Sequence, residues 1–403
     1  MKARGIVIST TFLLGPGWGC VADAHAPLPA LEVPEVSRVF TDSVLVQVRD
    51  IAVDEDGVWV LNGLAPYVVR FSHSGDLIGT FGRDGDGPSE LGHPTAFFGQ
   101  LRRGPAVLDA GRRAVVGYNV DGSFADRTDV QVSYARVVLA LARRTYGEPF
   151  RVRRTERGAV LGQFPGGLEN LQAYWFSRVV RMASPSADSL TMIVDFRTRF
   201  ASVRERLGPA RELVPIPLWD ACDSGEIVAY MPVVDSILRY DWEGHRIGGW
   251  VAPARATRFS SDERDDYIRG YVVAMASRQG VPEDQLDQVV TRALSEARNE
   301  FSDIAPRYVD VLCSSDGIWL KEFSREPGMV GDGMSWTVLR GGSPIATVDL
   351  PAGFKPTLLR DDRIWGILRD SLDVESIASV QIPEFPLRNP AGFDGAQFGP
   401  PLH

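Results

Sequence analysis

The sequence predicts an all-β fold built from a repeated unit of short strands, and three observations support this. An Asp-Gly-x-Trp motif occurs at residues 56–59 and 316–319, with a diverged copy at 362–365. Residues 51–81 also align without a gap with residues 220–250. The 40 Gly and 27 Pro residues suit a chain with many turns. A unit that recurs every ~45–50 residues is typical of propellers and solenoids, because one unit alone cannot bury its faces.

The repeat register places six blades along the chain and so predicts a six-bladed β-propeller. In the first blade, a β-branched inner strand ends in an Asp-Gly turn. Trp59 follows this turn, where a large aromatic side chain is expected to pack between blades. Residues 36–40 are expected to supply the fourth strand of the last blade, which would remove an exposed edge. The blades are predicted at residues 48–81, 94–130, 135–200, 214–252, 307–350 and 354–383.

One segment, residues 260–302, departs from the strand pattern. Its apolar residues follow helical spacing, Ser260 and Glu263 form a capping box, and Pro282 stands at the start of a second helix. The sequence therefore predicts a helical hairpin inserted between blades four and five. Two roles stay open for it: a cap packed through an apolar stripe, or a lid or partner-docking element over the channel.

Composition and motifs exclude several classes of function. The net charge of −9 argues against a nucleic-acid partner, which needs a basic face for phosphates. None of the five histidines has a second metal ligand at useful spacing. The His-Glu-x-x-His, Cys-x-x-Cys and Gly-x-Ser-x-Gly motifs do not occur, so zinc peptidase, redox and serine-hydrolase functions lose their usual support.

The first 20 residues resemble an export signal, with a positive start, a short apolar run and small residues before Cys20. Lipidation of Cys20, as in a bacterial lipoprotein, is slightly favoured over ordinary cleavage after residues 24 or 26. We expect an exported protein of the periplasm or the outer membrane, in contact with the membrane only through a lipid at Cys20. Residues 21–35 are predicted to be a Pro-rich tether, and residues 384–403 a Pro- and Gly-rich tail. The propeller itself would span residues 36–383.

A Gly-rich loop at the end of the first blade carries a family resemblance. The sequence matches a Gly-Arg-x-Gly-x-Gly-Pro-x-Glu pattern at Gly82, Arg83, Gly85, Gly87, Pro88 and Glu90. This pattern, together with residues 306–321, resembles the bacterial six-bladed β-propellers related to NHL-repeat and TolB-like proteins. The resemblance covers most of residues 36–383 and implies a fold, but it implies no activity. Related propellers include metal-dependent lactonases and lyases.

The same loop invites two more specific interpretations. A phosphate loop is disfavoured, because a strand follows it and Asp84 and Asp86 would repel an anion. A calcium loop would use Asp84, Asp86 and Glu90, yet Pro88 stands where an EF-hand places another side-chain oxygen. The favoured interpretation is a connector between blades whose glycines supply positive φ.

The mouth of the central channel is the other candidate site. In the repeat register Asp50 and Asp310 are equivalent, and Arg49, Asp220 and Tyr308 are expected to lie close by. Two such acids could hold a divalent, calcium-like cation, although no cofactor is required by the sequence. Solvated or paired carboxylates are the commoner case.

Two of the three cysteines take matching positions in the repeat. Cys222 and Cys313 both match Val53 in the repeat register, which places them on the inner strands of consecutive blades. Two buried free thiols are the favoured interpretation, and a disulfide is the alternative that an oxidising compartment permits.

These observations favour a binding or scaffolding module of the bacterial envelope over an enzyme. The partner would be an envelope protein or a small ligand, bound at the face with the channel mouth and the helical hairpin. The alternative is a metal-dependent lactonase or lyase that uses carboxylates such as Asp50 and Asp310.

Overall fold

The protein consists mainly of β-strands, with two helices inserted late in the chain. The computed structural model describes residues 28–32, 36–40, 42–98, 104–129, 153–155, 160–165, 175–182, 191–198, 217–232, 234–253, 257–278, 280–297, 304–314, 316–324, 335–360, 362–372 and 374–385. Among these, no helix is long and apolar enough to cross a membrane.

Six sheets of four or five strands follow one another along the chain. Two short strands come first: β1 (Ala30–Glu32) and β2 (Arg38–Phe40). Sheet 1 has β3 (Asp50–Asp54), β4 (Gly57–Leu61), β5 (Val68–Phe71) and β6 (Leu77–Phe81). Sheet 2 has β7 (Pro94–Phe98), β8 (Ala106–Asp109), β9 (Ala114–Tyr118) and β10 (Phe124–Asp129). Sheet 3 has β11 (Arg153–Arg154), β12 (Val160–Pro165), β13 (Trp175–Met182) and β14 (Thr191–Thr198).

The helices lie between the fourth and fifth of these sheets. Sheet 4 has β15 (Leu218–Ala221), β16 (Ile227–Met231), β17 (Ser236–Tyr240) and β18 (Arg246–Val251). The inserted segment has β19 (Thr257–Arg258), α1 (Ser261–Arg278), α2 (Glu283–Ala297) and β20 (Ile304–Ala305). Sheet 5 has β21 (Tyr308–Ser314), β22 (Gly317–Glu322), β23 (Ser335–Arg340) and β24 (Ser343–Asp349). Sheet 6 has β25 (Phe354–Arg360), β26 (Arg363–Arg369) and β27 (Glu375–Gln381).

The strands of each sheet pair with their neighbours in sequence, and the first strands of the sheets lie against one another. Strand β3 contacts β7 on one side and β25 on the other, and β21 contacts both β15 and β25. Strand β11 likewise contacts β15. Sheets arranged with their first strands together, each packed on the next, are consistent with the predicted β-propeller.

The Asp-Gly-x-Trp motif forms the tight turn between the first and second strands. In sheet 1, Asp54 accepts hydrogen bonds from the backbone N–H of Asp56 at 2.9 Å and from the indole N–H of Trp59 at 2.8 Å. Gly57 has a φ of 151°, and a Cβ at that position would overlap the carbonyl oxygen of Phe71. The turn therefore needs Asp54, two residues before the motif, as an acceptor and Gly57 of the motif for space.

The tryptophan of each motif is buried between two sheets. Trp59 of sheet 1 shares a cluster with Phe97 of sheet 2. Trp319 of sheet 5 shares one with Leu359 of sheet 6. Trp365 of sheet 6 packs with residues of sheet 1. The core thus lies between successive sheets, and the predicted packing role of Trp59 is confirmed.

The N-terminal segment adds a strand to each of the last two sheets. Strand β2 pairs antiparallel with β27 and becomes the fourth strand of sheet 6, as the sequence predicts. Strand β1 pairs parallel with β24 and becomes the fifth strand of sheet 5. The prediction that residues 21–35 are a tether is therefore wrong for Ala30–Glu32, because the outer edge of β24 offers backbone groups that an extended segment can satisfy.

The inserted segment is a helical hairpin on a short ribbon. Strands β19 and β20 pair antiparallel at its base. Ser260 and Glu263 form the capping box of α1: the N–H of Glu263 donates to Ser260 Oγ at 3.2 Å, and the N–H of Ser260 donates to Glu263 Oε2 at 2.8 Å. The apolar stripe of the two helices packs on sheet 5 in a cluster that includes Phe259, Tyr267, Ile268, Val272, Val290, Leu294, Ala305 and Phe323.

Candidate functional site

Asp50 and Asp310 occupy equivalent positions on the first strands of sheets 1 and 5. Asp50 lies opposite Leu61 in the strand pairing, and Asp310 lies opposite Lys321. Both acids are partly exposed. The repeat register of the sequence therefore agrees with the pairing of these two strands.

The carboxylate of Asp50 joins two sheets. Its Oδ1 accepts the backbone N–H of Ile51 and its Oδ2 accepts that of Phe97 in sheet 2, both at 2.9 Å. The first strand of a sheet is an edge, so its N–H groups need partners from outside the sheet. Asp50 supplies such a partner for the neighbouring sheet.

Asp220 does the same between sheets 4 and 5, but from a buried position. Its Oδ2 accepts the backbone N–H of Cys313 at 2.8 Å, and its Oδ1 pairs with Arg153 of sheet 3. Asp220 lies opposite Val228 in the strand pairing, just as Ala52 lies opposite Trp59. Because Val228 aligns with Trp59 in the repeat, Asp220 is the counterpart of Ala52. It is therefore two residues further along its strand than Asp50, and its place at the channel mouth stays a prediction.

The side chains of Arg49 and Tyr308 also make structural contacts. The guanidinium of Arg49 donates to the carbonyl oxygens of Pro94 and Gly63. Tyr308 is buried against Tyr230 in an edge-to-face contact with ring centroids 5.3 Å apart, and this burial raises the pKa of its hydroxyl. Arg49 therefore joins sheet 1 to sheet 2, and Tyr308 packs sheet 5 against sheet 4.

The predicted cation site does not fit these contacts well. Both carboxylate oxygens of Asp50 already accept backbone N–H groups, as do one oxygen of Asp220 and one of Asp310. Over the described part of the chain, no group of three or more His, Cys, Asp or Glu residues is placed to hold a metal ion. A calcium-like cation in the channel therefore stays a prediction.

Cys222 and Cys313 are joined by a disulfide with a Cα–Cα distance of 4.7 Å. The favoured expectation of two free thiols is therefore wrong. The two positions are not equivalent either: Cys222 donates its N–H to Glu226 O beyond the end of β15, whereas Cys313 lies opposite Ile318 within β21. The turn of sheet 4 is one residue wider, and this shifts its first strand relative to the gapless alignment.

The Gly82–Glu90 loop is organised by the side chain of Glu90. One carboxylate oxygen accepts the Nε–H of Arg83 at 2.7 Å and the other accepts the N–H of Gly87 at 2.6 Å. A Cβ at Gly85 would overlap this carboxylate. The hydrogen bond from Gly87 and the charge and hydrogen bond of Arg83 lower the pKa of Glu90.

The two aspartates of the loop do not converge with Glu90 on one point. Asp86 is exposed and pairs with Arg112 at 3.1 Å. Asp84 is hydrogen bonded to Tyr67, whose pKa is raised by burial and by this carboxylate. These contacts support the connector interpretation of the loop over the calcium interpretation.

We expect the Glu90→Gln variant to change the pH dependence of stability. The lowered pKa of Glu90 means that its stabilising effect is complete above the ordinary Glu pKa of about 4.3 and is lost as the pH falls through the folded-state pKa. Urea unfolding should therefore find the wild-type protein more stable than the variant at pH 7, with a smaller difference at pH 3. A difference of equal size at both pH values would contradict this role.

A buried acid that the sequence did not single out holds the other side of this loop. Asp109 accepts the N–H groups of Gly92 at 2.7 Å and His93 at 2.8 Å. The neighbouring Arg112 donates to Glu90 O at 2.8 Å. The only sequence signal was an Asp at the end of an apolar strand, followed closely by Arg112. Together the two residues fix the connection between sheets 1 and 2.

The two ends of the sheets differ in polarity. Alternate turns of an antiparallel sheet lie at opposite ends. Face A carries the turns from first to second and from third to fourth strands, such as residues 55–56 and 72–76. Face B carries the turns from second to third strands, such as residues 62–67, together with the connections between sheets and the helical hairpin.

Exposed apolar side chains in turns lie on face B. In the part of the chain that the structure describes, and apart from Val289 of α2, the large exposed apolar residues outside the outermost strands are Leu64, Val234, Leu372 and Val374, all in turns from second to third strands. The described turns of face A contain none and are rich in acids. This difference between the faces was not visible in the sequence.

Three of these side chains lie where sheet 6 meets sheet 1, and we call Leu64, Leu372 and Val374 the closure patch. The loop at residues 42–48 joins the two turns that carry them: the N–H of Val48 donates to Glu375 at 2.5 Å, and the amide of Asn62 donates to Val44 O at 2.7 Å. Leu64 is 52% exposed and Leu372 is 81% exposed.

Cys20 and most of the predicted tail lie outside the described residues. No family model and no curated protein matches the chain. Several solved structures resemble it weakly. A candidate exported protein from Bacteroides fragilis is 15% identical, with 88% of this chain and 99% of that chain covered and a TM-score of 0.46.

Two further structures are similarly distant. The calcium-binding protein regucalcin from Agrobacterium tumefaciens is 11% identical, with 89% and 98% of the two chains covered and a TM-score of 0.41. Virginiamycin B lyase from Staphylococcus aureus is 9% identical, with 86% and 97% covered and a TM-score of 0.40. Likenesses at this level do not establish a shared activity.

Proposed function

We propose that this chain is an exported six-bladed β-propeller that binds an envelope protein through face B. The observation that carries the proposal is the closure patch, together with the absence of comparable side chains from the described turns of face A. Exposed apolar side chains grouped on one face are typical of protein-binding surfaces. The export signal at residues 1–20 supports a location outside the cytoplasm.

The shape of the patch favours a macromolecule over a small ligand. Small-molecule sites are concave and enclose most of their ligand. Leu64 and Leu372 instead project from separate turns and are more than half exposed. Side chains on such tips can bury their area only against another broad surface.

The position of the patch also suits a binding role. The turns that carry it are held by hydrogen bonds through residues 42–48 and by the ion pair between Arg369 and Glu375 at 2.6 Å. A surface whose backbone is fixed before binding loses little conformational entropy when a partner docks. The partner would therefore meet a largely preformed face.

The contacts of the candidate acids do not favour the enzyme alternative. A lactonase or lyase of the expected kind would need carboxylates such as Asp50 and Asp310 free to bind a cation or a proton. Asp50 accepts two backbone N–H groups and Asp310 accepts that of Val311 at 2.8 Å. These acids are therefore better explained as structural acceptors.

Site-specific photocrosslinking in intact cells tests the proposal. We expect a photoreactive residue at positions 64 or 372 to give a discrete adduct with an envelope protein, and the same residue at positions 55 or 76 on face A to give none. Adding Leu372→Asp to the protein labelled at position 64 should reduce its adduct at least tenfold, because a charge would be buried in the interface.

Leu77→Asp is the matched control, since Leu77 is also an exposed apolar residue but lies on the outer strand β6. It should leave the adduct unchanged. Adducts of equal yield from both faces, or none from face B, would overturn the proposed binding face.

A further inference from the structure

The connection between sheets 4 and 5 is much longer than the others that the structure describes. It runs over residues 252–307 and contains the helical hairpin, whereas residues 82–93 connect sheets 1 and 2 and residues 350–353 connect sheets 5 and 6. Strands β19 and β20 pair at the base of the hairpin and bring the two ends of this connection together. This ribbon does not pair with sheet 4 or sheet 5, so contacts between the two sheets themselves must hold the seam.

The disulfide lies at this seam. Cys222 follows the first strand of sheet 4, Cys313 lies in the first strand of sheet 5, and the two are 91 residues apart in sequence. Both are buried in one cluster with residues of the two sheets, including Tyr230 and Val311. The N–H of Cys313 also donates to Asp220 of sheet 4.

The noncovalent contacts of the seam bring the two sulfurs together. The Asp220–Cys313 hydrogen bond joins the strands beside the disulfide, and the contact of Tyr230 with Tyr308 joins the sheets nearer to face B. Two cysteines held in this way can pair once the sheets have packed, without any prior covalent link. Apart from Cys20, the chain has no other cysteine to compete with them.

We propose that Cys222 and Cys313 form a redox latch that closes the ring of sheets between sheets 4 and 5. A disulfide oxidant closes it by thiol–disulfide exchange: the two thiols lose two protons and two electrons, one S–S bond forms between them, and the oxidant's own S–S bond is broken to give two thiols. A dithiol reductant reverses the step. The latch acts on the seam and not on the sheets as a whole.

Hydrogen exchange of the full chain tests the latch in three states: as purified, after reduction with dithiothreitol, and as the Cys222→Ser/Cys313→Ser variant. We expect exchange in β15 and β21 to be at least tenfold faster in the reduced protein and in the variant. Exchange in β4 and β26 should not change. Oxidised glutathione should restore the protection of the reduced protein and have no effect on the variant.

Three outcomes would overturn the latch. Unchanged exchange in β15 and β21 after verified reduction would show that the bond does not hold the seam. Faster exchange spread evenly over all sheets would show a general crosslink. A disulfide that dithiothreitol cannot reduce in the folded protein would show a permanent bond and not a latch. If the variant does not fold, the comparison of oxidised with reduced wild-type protein decides. The test involves no binding partner, so its result is independent of the proposed function.

Discussion

The Trp59→Ala variant should lose about 3–5 kcal/mol of unfolding free energy, the usual cost of removing a large buried aromatic side chain. Trp59 is fully buried between sheets 1 and 2. Its ring lies 6.1 Å from that of Phe81, and the guanidinium of Arg70 lies 4.9 Å above it. Truncation would leave a cavity between the sheets and a buried Arg70 without its aromatic contact. Urea unfolding followed by tryptophan fluorescence and circular dichroism measures the loss.

Trp59→Phe is the matched control, because it keeps most of the apolar volume while it removes part of the ring and the hydrogen bond to Asp54. It should cost clearly less than the alanine variant. Leu77→Ala, at an exposed site of the same sheet, should change stability by less than about 0.5 kcal/mol. A Trp59→Ala protein as stable as the wild type would contradict the packing of sheet 1 on sheet 2.

The Asp220→Asn variant should lose about 3 kcal/mol, at the lower end of the range for breaking a buried ion pair, because Arg153 keeps some contact with water. The neutral amide would leave the Arg153 guanidinium without its counter-charge. It would also weaken the acceptor for the N–H of Cys313. Equilibrium urea unfolding at pH 7 measures the effect.

Asp50→Asn serves as the comparison, since Asp50 also accepts an N–H from the neighbouring sheet but is less buried and, among the described residues, forms no ion pair. We expect it to cost about 1 kcal/mol, as for an ordinary hydrogen bond. Equal losses at both sites would mean that the ion pair with Arg153 contributes nothing. The pair of variants therefore separates the charge from the hydrogen bond.

These stability variants also bear on function. If Asp50 and Asp220 act as acceptors between sheets, their loss should reduce stability before it reduces binding at face B. If Asp50→Asn instead weakened partner binding without lowering stability, Asp50 would have a role in binding at the channel. The closure patch variants and the acid variants thus address two different parts of the molecule.

Several features were predictable because they depend on residues close together in sequence. The Asp-Gly-x-Trp turn is set by Asp54, Gly57 and Trp59, which lie within six residues of one another. The capping box of α1 involves only Ser260 and Glu263. The alternation and repetition of such local units were enough to predict mainly β-structure, a helical segment at 260–302 and an added strand near residue 40.

The candidate sites were harder to predict for two reasons. A turn that is longer by one residue changes which side chains meet, and many contacts join segments that are far apart in sequence. A turn one residue wider in sheet 4 moved Asp220 and Cys222 along their strand relative to the alignment. This placed Asp220 against Arg153 and Cys313. The parallel pairing of β1 with β24 joins segments more than 300 residues apart.

The sequence by itself determined the repeated strand unit, the buried tryptophans and the helical hairpin, since each follows from short-range patterns of polarity and turn chemistry. Only the tertiary structure decided which acids became acceptors between sheets, that Cys222 meets Cys313, and that Leu64, Leu372 and Val374 gather on one face. The physical reason is that burial and pairing of a side chain depend on the neighbouring sheet, which comes from a distant part of the chain.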